Sequence, residues 1–550
     1  MISRTSNTLL SIILVITPVS NPFNFSLILQ IFHYQEFLLH LVIPSLNIAN
    51  MKKSSIPRRA FLKTSAATAA GISIVPSHVM GRALGYIAPS DKLNIAGIGI
   101  GGKGRVNLEA MGQENIVALC DVDWAYAQEC FEDYPRAKRY WDWRRMLDEM
   151  GSDIDAIMIA TSDHTHAAIA ARALAIGKHL YCQKPLTHSV YESRLLTRLS
   201  GEHRVATQMG NQGNSAPEAR TVEEWIWAGE IGEVREVHAW TNRPIWPQGL
   251  ERPTEKMTAP DTMNWDLFIG PAPMRPYHDI YTPWNWRGWW DFGTGALGDM
   301  ACHILNPVFS ALQLEYPSKI QGSSTLVNTE SAPQAQVVEY TFPERLNLKP
   351  ESKIKMPEVK VFWYDGGMMP SRPLELADGE PIMEDGMGGC IFVGTKDKLI
   401  CNLGGIHPRL LSGRTPNVPE TLRRVENYPM GGIQDGPHEQ DWIRACKESP
   451  ENRIEPMSNF NMAGPFNEMV VMGVLAVRLQ SLNRELQWDG ENMRFKNISG
   501  SDQLRVVASD DFKVIDGHPH FNTKYVTLNA EEAVKEYIKH NYREGWNLTE

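Results

Sequence analysis

The feature that most constrains the fold of this chain is a run of five glycines between a strand-like and a helix-like segment. From Lys92 the sequence reads KLNIAGIGIGGKGRVNLEAM, in which Leu93–Ala96 is apolar and Lys103–Met111 has helical character. In a G-x-G-x-x-G pattern the first glycine permits a tight turn, the second lets backbone approach a pyrophosphate, and the third lets the helix pack closely on the strand. The free N–H groups at the helix start favour the same phosphates. The sequence therefore predicts a dinucleotide site that includes Gly97, Gly99, Gly101, Gly102, Lys103 and Gly104.

A carboxylate follows the second predicted strand. The apolar segment Ile116–Cys120 leads into Asp121, which lies 24 positions after Gly97. A carboxylate at this place accepts a hydrogen bond from a ribose 2′-hydroxyl and repels a 2′-phosphate, so the expected cofactor is NAD rather than NADP. Asp123 can share or take that role.

Strand-like and helix-like segments then alternate along the chain: Ala156–Ile159, Thr165–Ala175, Lys178–Cys182, Val190–Leu199 and Val205–Met209. This alternation predicts an α/β fold with a doubly wound parallel sheet, in which ligands lie at the carboxyl ends of the strands. Candidate cofactor ligands at those ends are Thr161, His164, His166, Gln183 and Lys184. Because no carboxylate or cysteine completes a metal site around the two histidines, we expect them to cap a helix or pack against the cofactor, and we predict no metal.

Lys184 and a later Asp/His pair are the candidate catalytic groups. Pro185 restricts Lys184 to extended backbone angles, and a buried lysine beside a cofactor can donate or accept a proton. Asp299 and His303 lie four positions apart, hence on one face of a helix. There the histidine can accept a hydroxyl proton while the carboxylate orients it. The alternatives are an exposed loop lysine, a capping aspartate and a core histidine.

The order of these motifs resembles the Gfo/Idh/MocA oxidoreductases, relatives of inositol dehydrogenase and glucose–fructose oxidoreductase. The motifs are the glycine loop, Asp121, TSDHTH at 161–166, Gln183-Lys184-Pro185 and Asp299-x-x-x-His303. The resemblance is good from Leu93 to about Pro307. It is looser through Cys390–Gly394, His438–Trp442 and Phe466–Leu479.

The resemblance implies an N-terminal Rossmann domain and a C-terminal α/β domain whose open, largely antiparallel sheet covers the substrate and supports a homo-oligomer. It also implies that Lys184 is the catalytic lysine, Asp299 the substrate-side aspartate and His303 the acid/base. Gln183 is a departure, since the family usually has glutamate there. Its neutral amide can still orient Lys184, but it removes a charge that would keep the lysine protonated.

Tryptophans are concentrated before the Asp/His pair, where seven of the 16 fall between residues 240 and 290. In the segment 284–291 they alternate with polar side chains. Flat rings suit the C–H faces of a sugar, and the Asn, Arg and Asp side chains suit its hydroxyls. The predicted carbohydrate site comprises Asn211, Trp284, Trp286, Arg287, Trp290, Asp299 and His303, with Gln212, His238 and Arg243 as weaker candidates. Alternatively, the tryptophans serve core packing or a subunit interface.

The N-terminal region reads as a targeting segment. Residues 51–63, MKKSSIPRRAFLK, place Arg58 beside Arg59 ahead of the weakly apolar run Thr64–Val75, which resembles a twin-arginine export signal. It predicts that the translocation machinery for such signals delivers the folded protein to the periplasm. Residues 1–50 contain apolar stretches broken by Pro18 and Pro22, too short to span a membrane. We interpret them as upstream read-through before a true start at Met51, with a membrane anchor as the alternative.

The predicted organisation is a signal and linker at 51–90, an NAD-binding domain at 91–213, a substrate-binding and oligomerisation domain at 214–490, and an extension at 491–550. The extension is expected to pack on the second domain, with a final helix near Ala530–His540. Residues 345–385, rich in proline, lysine and glycine, are predicted to form an insertion. After residue 80 the chain carries 48 basic and 63 acidic side chains, and this acidic balance argues against nucleic acid as a partner.

Three functions are compatible with these features. The first is an exported oxidoreductase that transfers hydride between a sugar hydroxyl and tightly bound NAD. The second is a redox-neutral glycosidase or lyase that oxidises the sugar transiently. The third is a sugar-binding protein without activity, which the combination of Lys184, Asp299 and His303 makes the weakest.

Overall fold

The computed structural model describes residues 91–346, 348–352, 354–382, 386–424 and 436–549. The predicted export signal and residues 1–50 lie outside these described residues.

The first sheet has six parallel strands in the order β3-β2-β1-β4-β5-β6. Its strands are β1 (Asn94–Ile98), β2 (Asn115–Cys120), β3 (Lys138–Tyr140), β4 (Ala156–Ile159), β5 (His179–Gln183) and β6 (Thr207–Gly210). The helices between them are α1 (Lys103–Ala110), α2 (Gln128–Asp133), α3 (Trp143–Met150), α4 (Asp163–Ala175) and α5 (Val190–His203). The order reverses beside β1, where ligands of such sheets bind. The predicted doubly wound parallel sheet is thus confirmed.

The second sheet has nine strands in the order β13-β12-β11-β7-β10-β9-β8-β14-β15. They are β7 (Val234–Thr241), β8 (Lys319–Ser324), β9 (Gln336–Phe342), β10 (Val359–Tyr364), β11 (Gly388–Gly394), β12 (Lys398–Asn402), β13 (Arg409–Leu410), β14 (Leu486–Asp489) and β15 (Arg494–Phe495). The pair β7/β10 is parallel and the other pairs are antiparallel, as expected. Residues 345–385 are not simply an insertion, because β10 lies mid-sheet with its alternate side chains Val359, Val361 and Trp363 buried.

The remaining helices of the second region pack on both sheets. They are α6 (Pro217–Trp227), α7 (Trp265–Ile269), α8 (Gly295–Ile304), α9 (Asn306–Ala311), α10 (Pro437–Cys446) and α11 (Phe460–Arg478). Short 3₁₀ turns occur at Gln212–Ser215, Asp279–Tyr281, Asn285–Gly288, Leu403–Gly405, Glu420–Leu422 and Gln480–Leu482. Among the described residues, α11 is long and apolar enough to cross a membrane, but most of it is buried in the protein core.

Helix α10 is distant in sequence from the first sheet yet shares its core. Trp442 and Ile443 are buried in one cluster with Ile95, Leu119 and Tyr181 of the parallel strands. The first domain is therefore completed by chain from within the predicted 214–490 domain, a boundary that local sequence patterns do not reveal.

The C-terminal extension forms a long hairpin and a helix, β16 (Gln503–Ile515), β17 (His518–Asn529) and α12 (Ala530–Ile538). After α12 the chain contacts the first domain, in addition to the packing on the second domain that was predicted. The Tyr542 hydroxyl donates to Glu192 on α5 over 2.8 Å, and the Arg144 guanidinium of α3 lies 4.2 Å from the Trp546 ring centroid.

Candidate active site

A cavity of about 580 Å³ begins at the loop between β1 and α1 and is lined by residues of both regions. Eight of its lining residues were predicted to bind a cofactor: Gly99, Gly101, Gly102, Lys103, Asp121, Thr161, Gln183 and Lys184. Lys184, Arg287 and His303 line the same cavity, together with Trp284 and Trp286. We refer to the part around the glycine loop and Asp121 as the nucleotide end, and to the part around Lys184, Arg287 and His303 as the catalytic end.

The glycine loop allows three backbone segments to approach each other. Gly99 has φ 74°, and a Cβ on it would lie 2.7 Å from the Ala160 carbonyl group at the end of β4. A Cβ on Gly104 would overlap the carbonyl oxygen of Gly99. Gly104 therefore permits the close packing of α1 that the motif assigned to Gly102. Gly102 instead precedes α1 with φ 49°.

The side chain of Asp121 stabilises this loop by accepting hydrogen bonds from backbone N–H groups. One carboxylate oxygen accepts from the N–H groups of Ile100 and Gly101 over 2.8 and 3.2 Å, and the other accepts from the N–H of Asp123 over 2.9 Å. Burial raises the pKa of Asp121 to about 6, against the lowering effect of these hydrogen bonds. Asp123 caps the following turn by accepting from the N–H of Ala125 and Tyr126, so Asp121 is the carboxylate placed at the loop.

Aromatic residues at the nucleotide end were missed by the sequence analysis. The Tyr126 ring lies against Gly101 and Gly102, where a Cβ on either glycine would meet it. Trp141 and Trp143 line the same end, and Trp141 stacks on Trp124 with ring centroids 4.4 Å apart. In the sequence, the concentration of aromatic residues shortly after Asp121 is the signal that points to them.

At the catalytic end, one carboxylate holds two cations. Lys184 Nζ donates to Asp299 Oδ1 over 2.6 Å and to the Asp299 carbonyl oxygen over 3.0 Å. Arg287 Nε donates to the same Oδ1 over 2.9 Å. Burial opposes ionisation of Asp299, but the Lys184 and Arg287 charges outweigh it and lower the pKa of this carboxyl well below its usual value. Asp299 is thus an anion that positions both cations, and it lies behind them rather than among the lining residues.

His303 lies one turn after Asp299 on α8 and faces the cavity. Burial and the nearby Lys184 ammonium lower its pKa to about 3, so the imidazole is neutral at neutral pH. Within the described chain no hydrogen bond to its ring is found. A neutral imidazole beside an ammonium group is an arrangement that can accept a hydroxyl proton.

Arg287 packs against two aromatic rings. Its guanidinium carbon lies 3.8 Å from the Trp284 ring centroid and 4.2 Å from that of Trp286. Nη1 donates to the Trp284 carbonyl oxygen over 3.3 Å. Trp284 itself is 56% exposed and has φ 67°, a left-handed conformation that is uncommon for a bulky residue.

Gln183 does not orient Lys184, contrary to the expectation from the sequence. Its amide nitrogen donates to Asn107 Oδ1 over 2.7 Å, and Asn107 Nδ2 donates to Glu439 Oε1 over 2.7 Å. Glu439 is fully buried and also accepts from the Tyr181 hydroxyl over 2.9 Å. Gln183 therefore lines the cavity while joining the first domain to α10, and Asp299 positions the lysine instead.

The two histidines of α4 were predicted to cap the helix or to pack against the cofactor, and the structure places neither of them in the cavity lining. His164 lies within hydrogen-bond distance of the carbonyl oxygens of Phe268, Ile269 and Phe292, and His166 of those of Pro185 and Thr161. Burial lowers both pKa values to about 4. Both are buried structural residues and neither lines the cavity. In the part of the chain that the structure describes, no group of residues could hold a metal ion.

Several predicted sugar contacts also lie elsewhere. Asn211 is fully buried, with its amide nitrogen donating to Asn306 over 3.0 Å, whereas its neighbour Gln212 lines the cavity. The Trp290 indole donates to the Asn328 carbonyl oxygen in the protein core. His238 bonds to Glu236 and Tyr364 on the second sheet, and Arg243 bonds to Asn242. Of the seven clustered tryptophans, Trp284 and Trp286 line the cavity and the others pack in the protein.

The residues of the nucleotide end fit a dinucleotide. The glycines of the loop carry no side chains of their own where backbone must approach a phosphate, Lys103 stands at the helix start, and Asp121 directly follows β2. The carboxylate favours NAD over NADP, because a 2′-phosphate beside it would be repelled.

Comparison with known proteins agrees with this fit. The family model described as "Oxidoreductase family, NAD-binding Rossmann fold", of the GFO_IDH_MocA type, matches residues 93–211. The model of the corresponding C-terminal alpha/beta domain matches residues 233–348.

Individual relatives are similar over part of their length. A levoglucosan dehydrogenase of Pseudarthrobacter phenanthrenivorans is 26% identical over 30% of this chain and 34% of that protein. An inositol 2-dehydrogenase of Pseudarthrobacter chlorophenolicus is 28% identical over 29% of this chain and 49% of that protein. The matched region thus spans between a third and a half of these curated relatives.

Among solved structures, the WlbA dehydrogenase of Chromobacterium violaceum, crystallised with NADH and UDP-GlcNAcA, is similar with a TM-score of 0.50. It is 13% identical, and the alignment covers 72% of this chain and 96% of that one. At this identity the similarity shows a shared fold.

Proposed function

This chain belongs to the Gfo/Idh/MocA oxidoreductase family, whose N-terminal domain binds NAD, and we propose that it transfers hydride between a sugar hydroxyl and NAD. The observation that carries the proposal is the cavity itself. One continuous space joins the glycine loop and Asp121 to Lys184, Arg287 and His303. A cofactor bound at the nucleotide end and a substrate at the catalytic end would share this space.

The side chains at the catalytic end have complementary roles in alcohol oxidation. NAD held at the nucleotide end by the glycine loop and Asp121 would supply the acceptor for the hydride that leaves the carbinol carbon, or its donor in the reverse direction. Neutral His303 accepts the hydroxyl proton as the C–H bond breaks and later releases this proton to solvent. The Lys184 ammonium donates a hydrogen bond to the same oxygen and stabilises its negative charge. Asp299 keeps Lys184 in place, since the two are joined over 2.6 Å.

The proposed substrate class rests on the shape and chemistry of the same end. Trp284 and Trp286 offer flat apolar faces, Arg287 offers hydrogen-bond donors, and Gln212, whose amide nitrogen donates to the Tyr181 hydroxyl, offers its amide oxygen as an acceptor. This combination suits a ring with C–H faces and peripheral hydroxyls. The names of the relatives, levoglucosan and inositol dehydrogenases, point to the same class of polyhydroxylated ring.

We propose further that the protein acts in the periplasm, because of the twin-arginine pattern at Arg58 and Arg59. No pool of free NAD is expected there. The cofactor would be loaded before export, remain tightly bound, and be reoxidised by a second carbonyl substrate in a ping-pong cycle. A homo-oligomer is expected from the family resemblance.

The test uses the full-length protein purified from its export host. It is dialysed, and NAD is measured after acid release; we expect close to one equivalent per chain. The protein is then incubated with free sugars and glycosides while ketone formation, reduction of the bound nicotinamide and release of the aglycone are followed.

The outcomes separate the three candidate functions. Ketone formed with reduction of the bound nicotinamide supports the dehydrogenase. Aglycone released without net reduction replaces it with the redox-neutral lyase or glycosidase. Sugars left unchanged by a protein that carries NAD contradict both, and favour a binding protein.

A further inference from the structure

The charges that line the catalytic end are unbalanced. Lys184 and Arg287 line the cavity there, while the single carboxylate they share, Asp299, lies behind them. The other lining carboxylates, Asp121 and Asp123, belong to the nucleotide end. A substrate at the catalytic end therefore meets two cations and, along the described lining, no anion.

Two further features maintain this imbalance. Residue 183 is a neutral glutamine whose amide is bonded to Asn107. The buried Glu439 behind it accepts hydrogen bonds from Asn107 and Tyr181 and does not line the cavity. Neither residue presents a negative group to a substrate.

Arg287 retains hydrogen-bonding capacity on a fixed guanidinium plane. Nε is used by Asp299 and Nη1 by the Trp284 carbonyl, whereas Nη2 has no hydrogen-bond partner among the described residues. The contacts of the guanidinium group with the Trp284 and Trp286 rings restrict its plane, so little conformational entropy is lost when a ligand binds. Lys184 Nζ and Arg287 Nε bond to the same oxygen and so lie within about 5.5 Å of each other. A carboxylate bound to Arg287 Nη2 and a hydroxyl bound to Lys184 Nζ can therefore belong to the same sugar ring.

We propose that the substrate is a sugar acid, such as a uronic acid, whose carboxylate is bound by Arg287 while a ring hydroxyl is oxidised beside Lys184 and His303. This proposal rests on the proposed sugar dehydrogenase activity and narrows its substrate class. The carboxylate takes no part in the redox step. It neutralises the surplus positive charge, and the planar guanidinium matches the planar carboxylate.

A competing role for Arg287 is to hold Asp299 and nothing else. The two roles differ in what they do to substrate choice. An arginine that binds the substrate carboxylate discriminates an acid from its neutral counterpart, whereas one that only positions Asp299 changes the rate for both equally.

The test compares matched pairs on the wild-type, full-length protein: glucose with glucuronate and galactose with galacturonate, each also as the methyl glycoside. We expect kcat/KM for ketone formation to be about 10- to 100-fold higher for the acid of at least one pair, the usual value of a charge-assisted hydrogen bond. The preference is expected to shrink as salt is added, although less than for an exposed pair.

Variants then assign the preference to Arg287. Arg287→Met should remove it mainly through KM for the acid, and Arg287→Lys should retain part of it, because the charge stays while the planar fork is lost. Arg478→Met is the matched control, since Arg478 also lies over a tryptophan, Trp290, but outside this cavity. It should leave the preference unchanged.

Two results would overturn the proposal while leaving the dehydrogenase in place. One is wild-type protein that oxidises the neutral sugar as well as, or better than, its acid. The other is Arg287→Met lowering kcat/KM equally for both members of a pair. Failure of every sugar, acid or neutral, with NAD still bound would instead remove the proposed function together with this narrower claim.

Discussion

The two ends of the cavity are built in different ways. The nucleotide end is made by neighbouring stretches of chain, mainly the loop at 97–104 and Asp121, and acts largely through backbone geometry. The catalytic end is assembled from Lys184, Arg287 and Asp299, with Lys184 and Asp299 separated by 115 positions. The first depends on the absence of side chains, whereas the second depends on charged side chains meeting across two domains. Substitutions at the catalytic end should therefore lower turnover, whereas substitutions at the nucleotide end should lower stability and NAD binding.

The largest effect is expected at the catalytic end, from His303→Ala. Loss of the proton acceptor should lower turnover by a factor of about 10² to 10⁴ while NAD remains bound, because His303 does not shape the glycine loop. Single-turnover reduction of the bound nicotinamide measures it. His520→Ala, on the exposed hairpin, is the control and should leave the rate unchanged. An unaltered rate in His303→Ala would remove this residue from the mechanism.

An intermediate effect is expected at the nucleotide end, from Gly104→Ala. The added Cβ would overlap the Gly99 carbonyl oxygen, which neither backbone can avoid without shifting. We expect the free energy of unfolding to fall by about 1–3 kcal/mol, with loss of bound NAD on dialysis. The matched control is Gly201→Ala in α5, where a Cβ meets nothing within 4 Å.

The control should change stability in the opposite direction. Replacing a helical glycine with alanine at an open position stabilises by about 0.5–1 kcal/mol, since the unfolded chain loses conformational freedom. Denaturant unfolding of both variants, followed by fluorescence, measures the difference. If Gly104→Ala were as stable as Gly201→Ala and kept its NAD, close backbone approach would not be what this loop requires.

The smallest effect is a difference in pH response between the ends. Burial and Lys184 lower the pKa of His303 to about 3, so its neutral form persists as pH falls from 8 to 5 and protonation of His303 should not lower the single-turnover rate in this range. Burial raises the pKa of Asp121 to about 6. Below that pH the carboxylate gains a proton and ceases to be a charged acceptor, so affinity for NAD should fall by about tenfold.

Equilibrium dialysis of added NAD against cofactor-stripped protein, at pH 8, 7, 6 and 5, measures this affinity. Asp121→Asn should abolish its pH dependence, because the amide does not titrate in this range. A rate that titrates near pH 6 with NAD saturating would instead place a titrating group at the catalytic end, and the contrast between the ends would be lost.

The sequence by itself determined the parallel sheet, its glycine loop, the carboxylate after β2 and the family. Each of these is local: alternation of strand-like and helix-like segments, glycine where backbone must approach, and an acid directly after a strand. The prediction that Lys184 and His303 serve one cavity also came from local motifs, carried by the resemblance. It is consistent with the placement of both side chains in the lining.

The tertiary structure alone decided what neighbouring residues of one motif contact. Gln183 and Lys184 are adjacent, yet one amide joins Asn107 while the other side chain joins Asp299. Trp286 and Trp290 are four apart, yet Trp286 lines the cavity and Trp290 is in the core. The physical reason is that the direction of a side chain is set by the elements against which it packs. These elements, such as α8 and α10, are far away in sequence, and composition and spacing do not encode the contacts with them. The net charge of the catalytic end likewise depends on residues that are distant in sequence. Lys184 of the first domain meets Arg287 and Asp299 of the second only in the folded protein.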